Sequence, residues 1–321
     1  MAGSVLNSSS VLRFNFCTKL NICASISATS PSCKPLAVSV KKEDRPNLLE
    51  NRNKIKYENM ENQFYFPFGQ PLKKVEQKDK NPKEAFVLGV YASAVHARWT
   101  DKNGKQKISA LAVASEPDIF WRGENAEEII NKIHIPDELG KLTLPTDKRL
   151  NGPSGRALDE KFLKPLNLSR ENTWLCDLLP YSRVNENQKS AIEKHYTKEL
   201  IEIYNISKAT IPEFDKNELN SERRRDEILN ELEQSKAETL ILLGDLPIKW
   251  FLNFHDKRFK TLSQFGDTAE EYGKEREIKI NNRFYNVIAL CHPRQADRLG
   301  SSSTKWGELH DEWIKQKTPN R

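Results

Sequence analysis

The chain has 321 residues, 37% of them hydrophobic and 30% charged, so much of it must be solvated helix, loop or tail around its core. No apolar run approaches the ~20 residues needed to span a bilayer, which excludes a helical membrane anchor. The net charge of +6 is confined: residues 1–42 hold five basic and no acidic side chains, and the remaining 46 basic and 45 acidic residues leave +1. A bulk basic excess is therefore excluded, and any nucleic-acid surface has to be a local patch.

Residues 1–42 are rich in serine and carry Arg13, Lys19, Lys34, Lys41 and Lys42. Arg13, Asn15 and Lys19 interrupt every stretch apolar enough for a secretory signal, so the composition reads as a transit peptide for a plastid (chloroplast) or mitochondrion. A plain N-terminal extension on a cytoplasmic or nuclear protein is the alternative. A polar linker follows over 43–62, and the folded part is expected over 63–317, opening with the aromatic F-Y-F-P-F-G-Q-P-L at Phe64. Cys17, Cys23, Cys33, Cys176 and Cys291 form no C-x-x-C pair, so no metal site or cofactor is suggested and inert thiols in a reduced compartment are expected.

Ala85 to Tyr91, A-F-V-L-G-V-Y, is the first clear strand, and it leads into A-S-A-V-H-A-R-W. Ile108 to Ser115 is a second extended segment, ended by Glu116-Pro117, and Glu124 to Ile133 has a helical pattern. The loop Asn151-Gly152-Pro153-Ser154-Gly155 feeds a short helix over Arg156 to Leu163. Asn172 to Tyr181 is the next buried strand with its exit. Two charged helices broken near Pro212 follow, and S-E-R-R-R-D-E on the second reads as a solvated face. Glu238 to Gly244 is apolar strand again, and a helix start lies at Lys249–Asn253. Arg276 to Cys291 reads as two extended runs around Asn281-Asn282, a hairpin signal. Trp306, Leu309 and Trp313 have helical spacing at the end. Four buried strands separated by helices predict an α/β fold, a three-layer α/β/α sandwich with a central, mainly parallel four-stranded sheet, in a monomer.

The stretch that could carry chemistry is Asn286 to Gly300, N-V-I-A-L-C-H-P-R-Q-A-D-R-L-G. Its apolar run delivers His292 to the carboxyl end of a buried strand, where open α/β sheets place their sites. Pro293 forces His292 out of the α region and closes the strand.

Four segments together resemble the uracil-DNA glycosylase superfamily, over roughly Phe64 to Lys315. Leu88-Gly89-Val90-Tyr91-Ala92-Ser93 stands where that family has its first motif. Gly152-Pro153-Ser154-Gly155-Arg156-Ala157-Leu158-Asp159 looks like its Ser-Gly-x-x-Leu segment. Trp174 to Arg183, W-L-C-D-L-L-P-Y-S-R, resembles the base-reading strand, and Cys291-His292-Pro293-Arg294 through Gly300 resembles the His-Pro-Ser motif and its DNA-inserting loop.

The resemblance implies a uracil-DNA glycosylase-like fold and a DNA-binding hydrolase, a glycosidase of base-excision DNA repair that cleaves the base–sugar bond of a modified base. Such chemistry leaves negative charge on the departing base, which a histidine donor stabilises where it develops. That role falls to His292, with Tyr91 and Ser93 as the first-motif catalytic candidates. Arg294, Arg298, Arg183 and Ser154 would contact DNA, with Leu299 as the apolar wedge in the vacated stack. Asp177 and Val113 would contact the base. DNA is the implied partner, with no cofactor, metal or membrane.

The departures from the family matter equally. Tyr91 stands where the family has a carboxylate or amide to position water, and the serine after His-Pro is Arg294. A water-positioning group must then come from elsewhere, with His96, Glu116 and Asp245 as the candidates, or be missing. Asp177 stands where the family often has asparagine. An ionised carboxylate only accepts hydrogen bonds, so it would favour a ligand with an amino donor over uracil. His134, His195, His255 and His310 are assigned no role. Two other readings stand beside hydrolysis: a non-catalytic nucleic-acid- or nucleotide-binding protein, and a hydrolase of a small nucleoside-like ligand.

Overall fold

Apolar runs and element boundaries coincide closely in the computed structural model, which describes residues 64–299 and 302–318. The transit-peptide and linker readings of residues 1–62 lie outside these. Strands β1 (Ala85–Tyr91), β2 (Ala94–Thr100) and β3 (Gln106–Ser115) come first, then helix α1 (Ala126–Asn131) and the short strand β4 (Lys141–Thr143). Helix α2 (Pro153–Ala157) runs on through a π-helical turn, Leu158–Leu163, and β5 (Thr173–Leu179) follows. Helices α3 (Glu186–His195), α4 (Lys198–Tyr204) and α5 (Glu222–Ser235) precede β6 (Thr239–Leu243). Short helices α6 (Asp245–Pro247) and α7 (Leu262–Phe265) lead to the hairpin β7 (Arg276–Ile280) and β8 (Arg283–Leu290). Two further helices, α8 (Pro293–Ala296) and α9 (Ser303–Lys317), follow.

The fold is mixed α/β with a mainly parallel central sheet in the order β5-β1-β6-β8-β7. β5, β1, β6 and β8 run parallel, and their burial on both faces accounts for runs without polar alternation. The sheet has five strands, not the four expected, because β7 pairs antiparallel with β8 through Ile280 and Arg283. Asn281 turns the hairpin at φ 52°, a conformation asparagine tolerates better than most residues. β7 alternates buried Ile278 and Ile280 with exposed Glu277 and Lys279, and this charge protects an open edge.

The opposite edge, β5, is protected differently. Arg224 of α5 donates to the carbonyls of Asp177 (2.7 Å) and Leu178 (3.2 Å), and Gln77 accepts the Leu175 amide at 3.1 Å. Arg224 is therefore no part of a solvated face: it is half-buried against the edge strand and paired with Glu227 and Glu231.

A second sheet was not anticipated. β2 pairs with β3 and β4 in the order β3-β2-β4, all antiparallel, around a core of Trp99, Leu111, Val113 and Trp121. His96 and Arg98 disguise β2 as a polar exit from β1. Between Glu186 and Ser235 three helices stand where two were expected, because Thr197 caps a new start by accepting the Leu200 amide. Among the described residues no helix is long and apolar enough to cross a membrane, and no cluster of metal-ligating side chains occurs.

Candidate functional site

Parallel register brings the carboxyl ends of four strands to one edge. Tyr91 ends β1 beside Leu179 of β5, and Leu243 ends β6 beside Leu290 of β8. His292 follows two residues after Leu290, and Gly244 lies against it: a β-carbon on Gly244 would meet the His292 Cβ at 3.4 Å.

The local sequence fixes the His292 ring. Pro293 holds His292 extended at ψ 143°, as a residue before proline must be. A reciprocal cap then forms, with the His292 amide donating to Gln295 Oε1 at 3.1 Å and the Arg294 amide donating to His292 Nδ1 at 3.2 Å. Because Nδ1 accepts, the neutral ring carries its proton on Nε2, which forms no hydrogen bond among the described residues. Burial, with the Arg294 charge adding, pushes the imidazole down to about 4, so at neutral pH His292 is an uncharged donor.

Behind His292 the strand exit is pinned. The Cys291 amide donates to Tyr272 Oη at 2.8 Å, and Tyr272 Oη lies 2.8 Å from His310 Nδ1. His310 Nε2 faces the Lys161 carbonyl at 3.1 Å, so that nitrogen carries the proton and Tyr272 donates to Nδ1. His310 is fully buried, stacked on Trp313 with the Phe162 ring tilted against it.

Across the edge, Tyr91 is 39% exposed and packs on Phe214, and its hydroxyl is pushed up by burial, with Arg294 opposing and Asp177 reinforcing. Ser93 is exposed, and its amide donates to Glu116 Oε1 at 2.8 Å. Glu116 therefore lies under the first-motif loop, although it follows β3. Asp177 lies on the adjacent strand opposite Gly89. A β-carbon on Gly89 would stand 2.3 Å from Asp177 Oδ1 and 2.5 Å from Phe120 Cζ, so the carboxyl and the ring converge on the bare glycine. Phe120 takes φ 51°, unusual outside glycine, and strain of this kind clusters at functional sites.

Burial also governs the acids. Asp177 is pushed up to about 7 by burial, which outweighs Arg224 because that guanidinium is committed to backbone carbonyls, Cys176 Sγ and two glutamates. Glu116 is pushed well above the usual carboxylate range by burial and by the Asp177 charge. His96 is held down to about 4 by burial, with the Gln188 amide 2.9 Å from Nε2.

Several expected residues lie elsewhere. Val113 is fully buried in the core of the second sheet and does not line the site; Phe120 has the aromatic place beside Asp177. Arg183 is buried and holds Glu218 at 2.9 Å, so its charge is not presented to a phosphate. Asp245 caps α7 by accepting the Leu262 amide at 2.7 Å. Arg298 pairs with Asp311 at 2.7 Å across Gly307 of α9. Arg294 is exposed with no ion pair among the described residues, Leu299 is half-buried beside it, and Ser154 is half-buried in the first turn of α2, which packs against α8. A separate surface cleft of about 640 Å³, lined by residues such as Glu76, Asp118, Arg122 and Arg170, includes none of His292, Asp177 or Tyr91.

No protein-family model matches the chain, and no curated protein matches it.

Proposed function

We propose that this protein binds DNA and releases a modified base by hydrolysing its N-glycosidic bond, as a divergent relative of the uracil-DNA glycosylases with a three-layer α/β/α fold. The observation that carries the reading is the half-buried His292 ring at the sheet's carboxyl edge, its Nδ1 committed to the Arg294 amide and its Nε2–H hydrogen-bonded to none of the described residues. A donor held in that state does not reorganise when charge develops on a departing base, the condition under which such groups contribute most. Support comes from its neighbours. Phe120 and Asp177, an aromatic ring and a carboxyl of the kinds that stack and read a base, converge on Gly89 beside the β1–β5 pair. Arg294, exposed beside His292, is the cation in place for a flanking phosphate.

One observation favours a second reading, a binding protein without hydrolysis. Tyr91 stands at the water-positioning place, and Glu116, under the same loop, is buried with its carboxyl pushed well above the usual carboxylate range. Single-turnover assays of the full chain on single- and double-stranded oligonucleotides bearing a panel of modified bases separate the two. Base release from at least one supports hydrolysis. Salt-dependent binding without release from any supports the binding protein, and activity on free nucleosides without DNA affinity supports neither.

A further inference from the structure

The stretch after β6 carries a charge that the rest of the folded chain does not. Lys249 to Lys260, K-W-F-L-N-F-H-D-K-R-F-K, holds four basic residues, one acidic residue and four aromatic rings, whereas residues 43–321 net only +1. It leads away from the sheet's carboxyl edge. Helix α6 continues through a π-helical turn, Ile248–Leu252, to Asn253–His255, in one run that starts at Gly244 beside His292. Phe254 stands about 15 Å along it, at 1.5 Å per residue. Phe251 and Leu252 enter the core, while Phe254 is 40% exposed. Arg225 of α5 lies 3.8 Å and Lys257 5.1 Å from the centre of the Phe254 ring. Lys249 lies 4.7 Å from the ring centre of half-buried Trp250, about one helical turn before Phe254 on the same face. Local bonds set these positions: Asn253 Nδ2 donates to the Phe259 carbonyl at 2.7 Å, and Arg225 Nη1 donates to Asn220 Oδ1 at 3.3 Å. Among the described residues, Arg225, Lys249 and Lys257 have no ion pair. The one acid of the stretch, Asp256, is taken by Arg258 at 2.6 Å.

We propose that Arg225, Lys249 and Lys257, set around Phe254 and Trp250, form a surface that holds the phosphate backbone of a single DNA strand as it leaves the His292 edge. The inference rests on the DNA-binding reading above and adds to it a contact away from the reacting base. Arg225 and Lys257 lie against one ring, so they are nearer to each other than the screening length of about 10 Å at 0.1 M salt, and they repel. An anion between them relieves that repulsion, and phosphate is the anion that a DNA strand repeats. Exposed aromatic rings among cations suit a single strand, whose bases have free faces to stack. His255 reports the same convergence of charge. Its ring packs edge-on against Phe251, and its imidazole is held below the ordinary value by burial first and then by Arg225 and Lys257. With the charge of the folded chain otherwise balanced, attraction is confined to this stretch and aligned with the edge that carries His292.

The test follows fluorescence anisotropy of a labelled single-stranded oligonucleotide of ordinary bases, bound by the full chain over a salt series. Arg225→Gln/Lys257→Gln should weaken binding about ten-fold at low salt and flatten the slope of log affinity against log salt by about 1.4, as two lost phosphate contacts on a single strand require. Lys257→Gln alone, at an exposed position that cannot disturb the core, should flatten it by about 0.7. Lys102→Gln/Lys105→Gln removes the same charge from the exposed β2–β3 turn and should keep the wild-type slope. The His255 ring resonances should shift as the oligonucleotide binds. A wild-type slope in both Lys257 variants, or an equal loss in the β2–β3 turn variant, would overturn the surface and leave the DNA-binding reading standing. A wild-type chain that binds no oligonucleotide at any salt would overturn both. Binding to phosphatidylserine vesicles that the Lys257 variants lose, with their DNA binding unchanged, would assign the cations to a membrane and overturn the proposal.

Discussion

At the scale of single residues, the site depends on what is missing at Gly89. Any side chain there would occupy the space of Asp177 Oδ1 and Phe120 Cζ. Gly89→Ala is therefore expected to weaken ligand binding at least ten-fold while costing about 1–3 kcal/mol of stability, as overpacking does. Isothermal titration beside chemical denaturation checks both; unchanged affinity would show that Asp177 and Phe120 do not meet the ligand. His292 was legible in the sequence because its signal is local: an apolar run, a histidine and a proline fix a strand end, a tautomer and a cap within four residues. The convergence of Phe120 and Asp177 on Gly89 was not. It is made by packing between positions 57 residues apart, and no short-range pattern encodes it. The one available hint was an Ile-Phe-Trp run directly after Glu116-Pro117-Asp118.

At the scale of elements, the strand exit at Cys291 is held by two elements beyond its own strand. Tyr272 accepts the Cys291 amide and donates to His310 on α9. Tyr272→Phe would orphan that buried amide, at a cost of about 1–3 kcal/mol. The expected outcome is a lowered melting temperature and faster hydrogen exchange at Cys291 and His292. An unperturbed exchange pattern would show that the relay does not hold the exit. The four parallel strands were readable because burial on both faces leaves uninterrupted apolar runs. β2 and β7 were harder to place: β2 carries His96 and Arg98, and β7 has the alternation of an edge, which states that a strand exists but not which sheet it joins. His310 likewise reads as an ordinary polar position on a helix until α9 is docked against the π-helical turn after α2.

At the scale of the whole molecule, buried titratable groups give stability a maximum in mildly acidic solution. His96, His292 and His310 are each held down to about 4 by burial, below an unfolded value of 6.5. As pH falls from 6.5 toward 4 the unfolded chain takes up these three protons and the folded chain does not, so stability falls on the acid side. The carboxyls act in the opposite sense. Asp177 rises from 3.8 to about 7 on folding and Glu116 rises from 4.5, so their contribution is complete at low pH and is lost as pH rises through about 7. Melting temperature against pH should therefore peak near about pH 6, and the peak should move to higher pH in Asp177→Asn. A melting temperature still climbing above about pH 8 would contradict this assignment of buried charge. The central claim concerns His292, and single-turnover base release by the full chain against His292→Ala, on whichever modified base the wild type releases, tests it most directly. A preorganised donor predicts a fall of about 10²–10³-fold with substrate binding little changed; release at the wild-type rate by His292→Ala would contradict it.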